Sequence, residues 1–472
     1  MTEIIRKKLS DSPAARWIAL FIVAFTMMMA YFITDVMSPL EDMLEATVAQ
    51  GGHGWTSTEY GFFSGSYGFI NVYLLMLFFG GLILDKMGVR FTGVLACGLM
   101  VVGVAIKYYA LAFVSAEPTT YVHIPFLGLS HAYVKDQVLV AALGFSIFGV
   151  GCEICGITVS KIIAKWFTGH GMALAMGVQV AMARLGTAAA LSCSVPIAQH
   201  FGRVSTPVLF GGAMICIGLL AFIVYCVMDK KLDDSEKASE QSQAQAGDDD
   251  GGFHLVDLKA IFTNPGFWLI TLLCLLFYAG VFPFLKFATK LMISKYAIAP
   301  DVAGVIPSLL PFGTIILTPL FGTIYDKIGK GATLMIIGSL MLTAVHVLFA
   351  LPILTTTAAA ITIMVVLGIA FSLVPSAMWP SVPKIIPMKL LGSAYAIIFY
   401  IQNIGLAMVP ILIGNVLDAD TTILADGTKQ MDFTTAMWIF ASFGVAAVIL
   451  ATLLRVLDTK KKYGLEQANA KK

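Results

Sequence analysis

The sequence predicts an all-α membrane protein whose twelve transmembrane helices form two pseudo-symmetric halves of six. Its 472 residues are 58% hydrophobic and only 12% charged, with a mean hydropathy of +0.87. Soluble domains carry about 25% charged residues, so a lipid bilayer is the environment that fits this composition. Twelve apolar runs and a duplicated loop motif complete the prediction.

Each predicted span is long enough to cross the hydrocarbon core, which takes about 20 helical residues. The spans are residues 16–37, 59–84, 91–115, 136–160, 171–195, 207–228, 266–291, 303–325, 332–351, 357–383, 391–417 and 433–456. The first follows a polar segment that has no small-residue cleavage site. We therefore expect it to be a retained span and not a removed signal peptide.

The distribution of basic residues predicts the orientation of the bundle. One set of loops contains only Lys135, Arg203, Lys295 and Lys429, whereas the other set and both termini contain nearly all remaining Lys and Arg residues in the loops. Because basic residues concentrate on the cytoplasmic side, we expect both termini to be cytoplasmic. The chain has no Asn-x-Ser/Thr acceptor and no acidic dileucine signal, so we expect a prokaryotic inner membrane.

A polar, low-complexity segment separates the first six spans from the last six. Residues 229–262 read "DKKLDDSEKASEQSQAQAGDDDGGFHLVDLKAIF" and predict a flexible cytoplasmic linker that ends in a surface helix. The N-terminal half is then residues 1–228, and residues 263–472 form the C-terminal half with its tail. We expect a monomer that contacts the bilayer and no nucleic acid.

The two halves repeat a loop of the form Gly-x-x-x-Asp-Lys-x-Gly. It reads "GLILDKMGVR" at 81–90 and "GTIYDKIGKG" at 322–331. The glycines permit a tight turn, and the aspartates can cap a helix or pair with a cation. We interpret the two loops as latches that stabilise one conformation. The candidate gate residues are Asp85, Lys86, Gly88, Arg90, Asp326, Lys327 and Gly329.

The duplicated loop resembles the signature loop of the major facilitator superfamily, and six-helix repeats are typical of secondary transporters. The sequence contains no GxxxxGK[ST] phosphate loop and no catalytic constellation, so we predict neither direct ATP use nor an enzyme. No cofactor or metal site is predicted, because the CxxC pair at 152–155 has no second pair or histidine nearby.

A glutamate and an arginine interrupt two apolar spans. Glu153 lies in "FGVGCEICG" of span four, and Arg184 lies in "QVAMARLGT" of span five. Each is about 15 residues from the turn that joins the spans, which corresponds to roughly 20 Å at about 1.5 Å per residue. The antiparallel hairpin therefore places opposite charges at one depth, just beyond the midplane.

Three interpretations of this pair stay open. The two side chains can form a buried ion pair that orients two helices, although desolvation offsets most of that attraction. They can instead face a wet cavity and hold the two ends of a zwitterion, because a carboxylate binds ammonium and an arginine binds a carboxylate. Glu153 can also carry a coupled proton. We favour the second interpretation, with proton coupling as a variant.

The second half supplies candidate cavity walls. Span seven contains Tyr278 and Pro283, and Trp379 lies among the prolines of "FSLVPSAMWPSVPK", residues 371–384 in span ten. We expect these prolines to break their helices. Freed backbone groups are tolerated in a membrane only against protein or a wet cavity. Tyr278 and Trp379 are therefore candidate binding residues.

Further polar residues lie in the same spans. Span eleven adds Gln402 and Asn403, whose amides can bind a solute or bridge two helices. Lys107, Lys286 and Lys290 occupy the outer halves of their spans, and we expect them to snorkel to the outer surface. Lys290 can instead line the outer vestibule, so it remains a candidate binding residue.

Several runs resemble the lysosomal dipeptide transporters of the major facilitator superfamily and their bacterial relatives. They are "FGVGCEICG…KWF…GVQVAMARLG", "FYAGVFPF…TK" and "MWPSVPKIIP…LGSAYAIIFYIQNIGLA…GNVLD", and the resemblance covers about residues 59–456. It implies alternating access and dipeptide substrates. It further implies that Glu153 holds the peptide amine and Arg184 the carboxylate. The lysosomal members work without an ion partner, as uniporters.

One departure from the superfamily pattern concerns proton coupling. Many members carry an arginine four residues before the glycine at position 149, where this chain has Phe145. We thus predict a carrier of dipeptides or similar zwitterions, either a uniporter or proton-linked. The alternatives are a carrier of organic anions such as hexuronates or sialic acid, and a transport-inactive membrane sensor.

Overall fold

The computed structural model describes residues 12–125, 129–167, 172–240, 258–387, 390–423 and 429–468. The chain is almost entirely helical between short connections. The helices are α1 (Pro13–Asp35), α2 (Glu41–Glu45), α3 (Ser57–Ser66), α4 (Phe69–Tyr73), α5 (Met76–Phe113), α6 (Asp136–Phe167), α7 (Met172–Phe201), α8 (Thr206–Glu240), α9 (Leu258–Phe262), α10 (Pro265–Ala279), α11 (Phe282–Tyr296), α12 (Pro300–Ala303), α13 (Val305–Ile328), α14 (Gly331–Ala350), α15 (Thr357–Ile385), α16 (Leu391–Ala419) and α17 (Thr434–Lys461).

Two antiparallel hairpins lie between helices. The first pairs β1 (Thr119–Ile124) with β2 (Leu129–Lys135), and the second pairs β3 (Thr421–Ile423) with β4 (Lys429–Met431). We call the end of the bundle that carries the loops at 85–90 and 326–331 the motif end, and we call the end that carries the hairpins the opposite end.

Eleven helical stretches among the described residues are long and apolar enough to cross a membrane. The second predicted span adds the twelfth crossing, but it is broken into α3, α4 and the first part of α5. Leu75 precedes α5 in a left-handed conformation (φ 53°). Gly88 (φ 77°) turns the chain inside α5, so that α5 contains the end of span two and residues 91–113 of span three. The all-α prediction is confirmed.

Span seven is broken where the sequence places a proline. Helix α10 ends at Ala279 and α11 begins at Phe282, with Pro283 in its first turn. The intervening Gly280 offers its carbonyl oxygen to His346 of α14, which lies 2.8 Å away. The predicted break is confirmed.

Span ten is not broken, which corrects the prediction from its prolines. Helix α15 runs continuously through Pro375, Pro380 and Pro383. Pro383 has no N–H to donate to the carbonyl of Trp379 one turn earlier. The hydroxyl of Tyr395 donates to that carbonyl over 3.3 Å and so replaces the missing donor.

The two halves meet most closely at the opposite end. Helix α3 packs against α16, and α7 packs against α13. A Cβ atom on Gly65 would lie 2.2 Å from the carbonyl oxygen of Ala407, and one on Gly61 would lie 2.3 Å from that of Pro410. Only glycine permits such a contact between backbones. The halves are therefore closed together at this end.

The segment between the halves is partly helical. Helix α8 continues to Glu240, so residues 229–240, which we expected to belong to the flexible linker, extend the sixth span. The middle of the predicted linker, residues 241–257, lies outside the described residues. The short helix α9, Leu258–Phe262, lies where we expected a surface helix.

Candidate functional site

A cavity lies between the two halves and contains several predicted binding residues. Its volume is about 150 Å³, compared with the roughly 10–15 Å³ that one water molecule needs, so it admits a small solute. The wall is formed by Tyr31, Thr34, Asp35, Ser64, Tyr67, Glu153, Phe282, Pro283, Lys286, Phe399, Gln402, Asn403, Leu406 and Pro410. Residues of both halves contribute to this wall.

Glu153 faces this cavity from α6. Its Oε1 atom accepts a hydrogen bond from the hydroxyl of Tyr67 over 2.8 Å. Tyr67 occupies the first interruption of span two, and its carbonyl oxygen would lie 2.1 Å from a Cβ atom on Gly149. Gly149 thus lets α6 approach the interruption, and Glu153 follows one helical turn later. The local fold places the carboxylate next to the hydroxyl.

Arg184 of α7 lies beside the cavity, against two aromatic rings. Its guanidinium carbon is 5.5 Å from the ring centre of Phe282 and 5.2 Å from that of Phe371. Phe282 forms part of the cavity wall. Among the described residues no ion pair joins Arg184 to Glu153. The interpretation of these two residues as a buried ion pair is therefore wrong for this conformation.

Tyr278 and Trp379 lie one layer outside the cavity. The indole nitrogen of Trp379 donates to the hydroxyl of Tyr278 over 3.0 Å. The ring of Tyr278 is 5.5 Å from Phe282, and Trp379 stacks on Phe399 at 5.0 Å. Because Phe282 and Phe399 line the cavity, the two candidate residues hold cavity-lining rings in place.

Gln402 and Asn403 line the cavity from α16. The Nδ2 group of Asn403 donates to the carbonyl of Phe399 over 2.9 Å. Within the described part of the chain its buried Oδ1 atom has no hydrogen-bond partner. Gln402 accepts a contact from the thiol of Cys274 at 3.4 Å. Asn403 therefore retains an acceptor for a donor group of a solute.

The three membrane lysines do not snorkel to the surface, which corrects that prediction. Lys107 is fully buried and donates to the carbonyl of Ile33 over 3.0 Å. Lys286 of α11 forms an ion pair with Asp35 of α1 at 2.6 Å. Each finds its partner inside the protein, because α1 presents a carbonyl group and a carboxylate near its C-terminal end.

Lys290 also pairs within the protein, one turn beyond Lys286 on α11. It binds Asp42 and lies 3.3 Å from Glu45. Among the described residues, the ion pairs that cross between the halves are those of Lys286 and Lys290, and Lys290 is not part of the cavity wall. Both lysines therefore hold the two halves together on the side of the opposite end.

The first motif loop is held by ion pairs within the first half. Asp85 pairs with Lys161 at 2.8 Å, and Arg90 pairs with Asp233 at 2.7 Å and with Asp229 at 3.5 Å. Lys165 binds Asp229 and Asp233 as well, at 2.8 Å and 2.6 Å. These contacts join the loop to α6 and α8. Lys86 points outward and is exposed.

The second motif loop is held by the C-terminal tail, residues 462–468. Gly329 turns the chain (φ 73°), and a Cβ atom there would lie 2.4 Å from the backbone of Gln467. The amide of Gly331 donates to the carbonyl of Leu465 over 2.8 Å, and the carboxylate of Glu466 accepts the amide and hydroxyl of Thr333 at 2.9 and 2.8 Å. The side chains of Asp326 and Lys327 are exposed. Both loops turn at a glycine with positive φ, and the described contacts come from α6 and α8 in the first loop and from the C-terminal tail in the second.

The cavity wall contains the carboxylate of Glu153 and the amino group of Lys286, and Arg184 lies beside it. The described residues contain no group of three or more His, Cys, Asp or Glu side chains placed to hold a metal ion. A family model described as the Major Facilitator Superfamily matches residues 20–410. The chain belongs to the Major Facilitator Superfamily. It is a multi-pass membrane protein and a transporter, as the family resemblance of the sequence implied.

Relatives of this transporter include a lysosomal dipeptide transporter, MFSD1. The chicken (Gallus gallus) protein is 29% identical over 285 residues, which cover 58% of this chain and 62% of that protein. This match thus spans less than two thirds of the chicken protein. The cattle (Bos taurus) protein is 25% identical over 416 residues, which cover 86% of this chain and 80% of that protein.

Among solved structures, the transporter resembles the peptide transporter POT in complex with sulfate. The TM-score is 0.67 and the identity 14%, and the alignment covers 95% of this chain and 96% of that one. At this identity the similarity establishes the fold alone.

Sequence reasoning missed Asp35 and Tyr67. Asp35 ends the first apolar run, in "YFITD", and is easily taken for a span boundary. Tyr67 has polar residues at helical spacing, Ser64 three residues earlier and Asn71 four residues later, and this polar face was a signal that could have found it. The signal for Asp35 was the count of charges, because three membrane lysines require anions somewhere in the bundle.

Proposed function

We propose that the transporter carries dipeptides or similar small zwitterions, by rocking its two halves around the cavity. The observation that carries this proposal is Glu153, a carboxylate in the cavity wall whose described hydrogen-bond partner is the hydroxyl of Tyr67. A carboxylate in that position can bind an ammonium group. The named function of the MFSD1 relatives supports the same choice of solute.

The remaining parts of the site fit a peptide. Arg184 and Lys286 supply positive charge on the side of Phe282 for a carboxylate. The unpaired Oδ1 of Asn403 can accept from a peptide N–H group. Tyr278 and Trp379 support the aromatic wall. Lys290 acts at the closed opposite end.

Two further features belong to the proposal. The motif end is the cytoplasmic one, since the basic residues concentrate there, and the membrane is the inner membrane of a prokaryote. The cycle is either uniport or proton-linked, with Glu153 as the proton acceptor in the second case. A monomer suffices, because both walls of the cavity come from one chain.

Thermal unfolding of the purified protein with added solutes tests this function. Ligands that bind only the folded state raise the melting temperature. We expect Ala-Ala to stabilise the wild type and N-acetyl-Ala-Ala, which lacks the amine, to stabilise it far less. The variant Glu153→Gln should lose the response, whereas Glu117→Gln, which changes an exposed carboxylate, should keep it.

A different pattern would favour the organic-anion alternative. Stabilisation by glucuronate and not by Ala-Ala, unchanged in Glu153→Gln, would overturn the dipeptide proposal. Uptake of radiolabelled Ala-Ala into proteoliposomes, with and without a proton gradient, separates uniport from proton-linked transport.

A further inference from the structure

The cavity wall contains one ion pair that also joins the two halves. The Nζ group of Lys286 donates to Asp35 Oδ1 over 2.6 Å and to the carbonyl of Thr34 over 2.8 Å. Only 13% of the Lys286 side chain and 9% of the Asp35 side chain are exposed. All three residues line the cavity. The bond between the halves therefore borders the space that a solute would occupy.

We propose that Lys286 binds an anionic group of the transported solute in competition with Asp35, so that binding weakens the ion pair between the halves. For a dipeptide this group is the C-terminal carboxylate. The inference rests on the proposed function, because a zwitterion held at Glu153 is what brings the carboxylate to this wall.

Asp35 keeps partners in its own half when Lys286 leaves it. The hydroxyl of Thr187 donates to Asp35 Oδ2 over 2.8 Å. Lys107, which is bound to the carbonyl of Ile33, interacts electrostatically with the Asp35 carboxylate. A buried charge that loses its partner is strongly destabilising. Here the hydroxyl of Thr187 and the amino group of Lys107 remain beside Asp35, so the exchange leaves the carboxylate with polar neighbours in the first half.

Lys286 in turn needs another anionic partner when its ion pair with Asp35 is broken. The charged residues in the cavity wall are Asp35, Glu153 and Lys286. In the proposed function Glu153 holds the amine of the solute, which leaves the carboxylate of the solute as the replacement partner. A charge-assisted hydrogen bond to a carboxylate is among the stronger polar contacts.

The position of Lys286 on α11 favours such a contact. Phe282 and Lys286 are four residues apart and so lie on one face of the helix, and both line the cavity. Arg184 lies against the ring of Phe282 at 5.5 Å. A carboxylate beside Phe282 therefore meets two cations, of which only Lys286 also closes the opposite end.

The neighbouring pair of Lys290 with Asp42 provides a matched control. It also joins α11 to the first half, one turn farther along the helix, but neither residue lines the cavity. A variant of Asp42 weakens a bond between the halves without altering the cavity wall. It therefore separates solute competition from a general loosening of the closed end.

The experiment compares the binding of Ala-Ala with that of Ala-Ala amide, which lacks the carboxylate. Affinities are measured by calorimetry on the purified full-length wild type, Lys286→Gln, Asp35→Asn and Asp42→Asn. We expect Lys286→Gln to weaken Ala-Ala about tenfold and to change the amide by less than about twofold, as for loss of one charged hydrogen bond. Asp35→Asn should tighten Ala-Ala, because its competitor is gone. In Asp42→Asn the ratio of the two affinities should stay at the wild-type value.

Three outcomes overturn the inference. The ratio of acid to amide affinity could be the same in all four proteins, or it could shift equally in Asp42→Asn and Lys286→Gln, or Asp35→Asn could fail to tighten Ala-Ala. A gain of affinity in Asp35→Asn cannot come from misfolding. The Asp35→Asn measurement therefore still tests the inference if Lys286→Gln folds poorly. If the wild type binds neither peptide, the proposed function itself fails; if it binds both and the ratios do not move, only the role of Lys286 is wrong.

Discussion

The imidazole of His346 donates a hydrogen bond from Nε2 to the carbonyl oxygen of Gly280, which lies in the break of span seven. A carbonyl oxygen can only accept, so Nε2 carries the proton. His346 is fully buried, with its ring stacked on Phe440 and edge-on to Phe284. A side chain of span nine therefore fixes the point at which the helix carrying Lys286 changes direction.

Replacing His346 tests this role. We expect His346→Leu to destabilise the protein by about 1–3 kcal/mol, because a buried carbonyl loses its donor. His346→Gln, which keeps an N–H donor, should recover part of the loss. Thermal unfolding of the purified variants measures both. Equal melting temperatures for the two variants would show that ring packing matters and the hydrogen bond does not.

A disulfide across the opposite end should stop transport. The hydroxyl of Thr58 on α3 and the side-chain oxygen of Asn415 on α16 lie 3.0 Å apart, and the amides of Ser57 and Thr58 both donate to Asp418. We expect Thr58→Cys with Asn415→Cys to cross-link under mild oxidation and to lose Ala-Ala uptake, since α3 and α16 can no longer separate. A reductant should restore uptake.

Thr58→Cys alone is the control for that experiment and should transport with or without oxidant. Full uptake by the cross-linked double variant, with the cross-link verified by mass spectrometry, would mean that the halves do not part between α3 and α16.

The pair of Asp85 and Lys161 should matter for transport more than for stability. Their side chains are 74% and 46% exposed, and exposed ion pairs contribute only about 0–1 kcal/mol. We expect Asp85→Asn to leave the melting temperature and Ala-Ala binding close to wild type but to slow uptake. The charge swap Asp85→Lys with Lys161→Asp should recover uptake if the pair itself is required. If the charge swap recovers no uptake, the slower uptake of Asp85→Asn is due to the loss of Asp85 and not to the loss of the ion pair.

Removal of the C-terminal tail should destabilise the second half. Leu465 is fully buried, and the burial of one leucine contributes about 1.5–3 kcal/mol. We expect truncation after Lys462 to lower the melting temperature by several degrees and truncation after Ala468 to change it little. An unchanged melting temperature after truncation at Lys462 would show that the tail does not stabilise the second half.

The sequence was sufficient for the spans, the repeat and the break at Pro283, because hydropathy and backbone chemistry are local. Span ten shows the limit of local reasoning. Its prolines remove hydrogen-bond donors, but Tyr395 on the next helix donates to the carbonyl of Trp379. The two residues are 16 positions apart in the chain, and no helical or strand periodicity in the sequence predicts such a contact.

The site was predictable to a similar extent. Glu153, Gln402 and Asn403 were found from their polarity within apolar spans, and they share one cavity. The partners of the lysines were missed, because Asp35 and Lys286 are 251 residues apart in the chain. The pairing of these charges depends on how the two halves pack against each other, and local sequence patterns do not predict that packing.

The unequal supports of the two motif loops make the halves respond differently to ionic strength. Arg90, Asp85 and Lys161 hold the first loop through partly exposed charges, which dissolved ions screen over a Debye length of about 8 Å in physiological salt. The described contacts of the second loop with the tail are largely backbone hydrogen bonds, together with the burial of Leu465, and such screening weakens these contacts much less. Salt, or a charged membrane surface beside the motif end, therefore acts more strongly on the ion pairs of the first loop than on the tail contacts of the second.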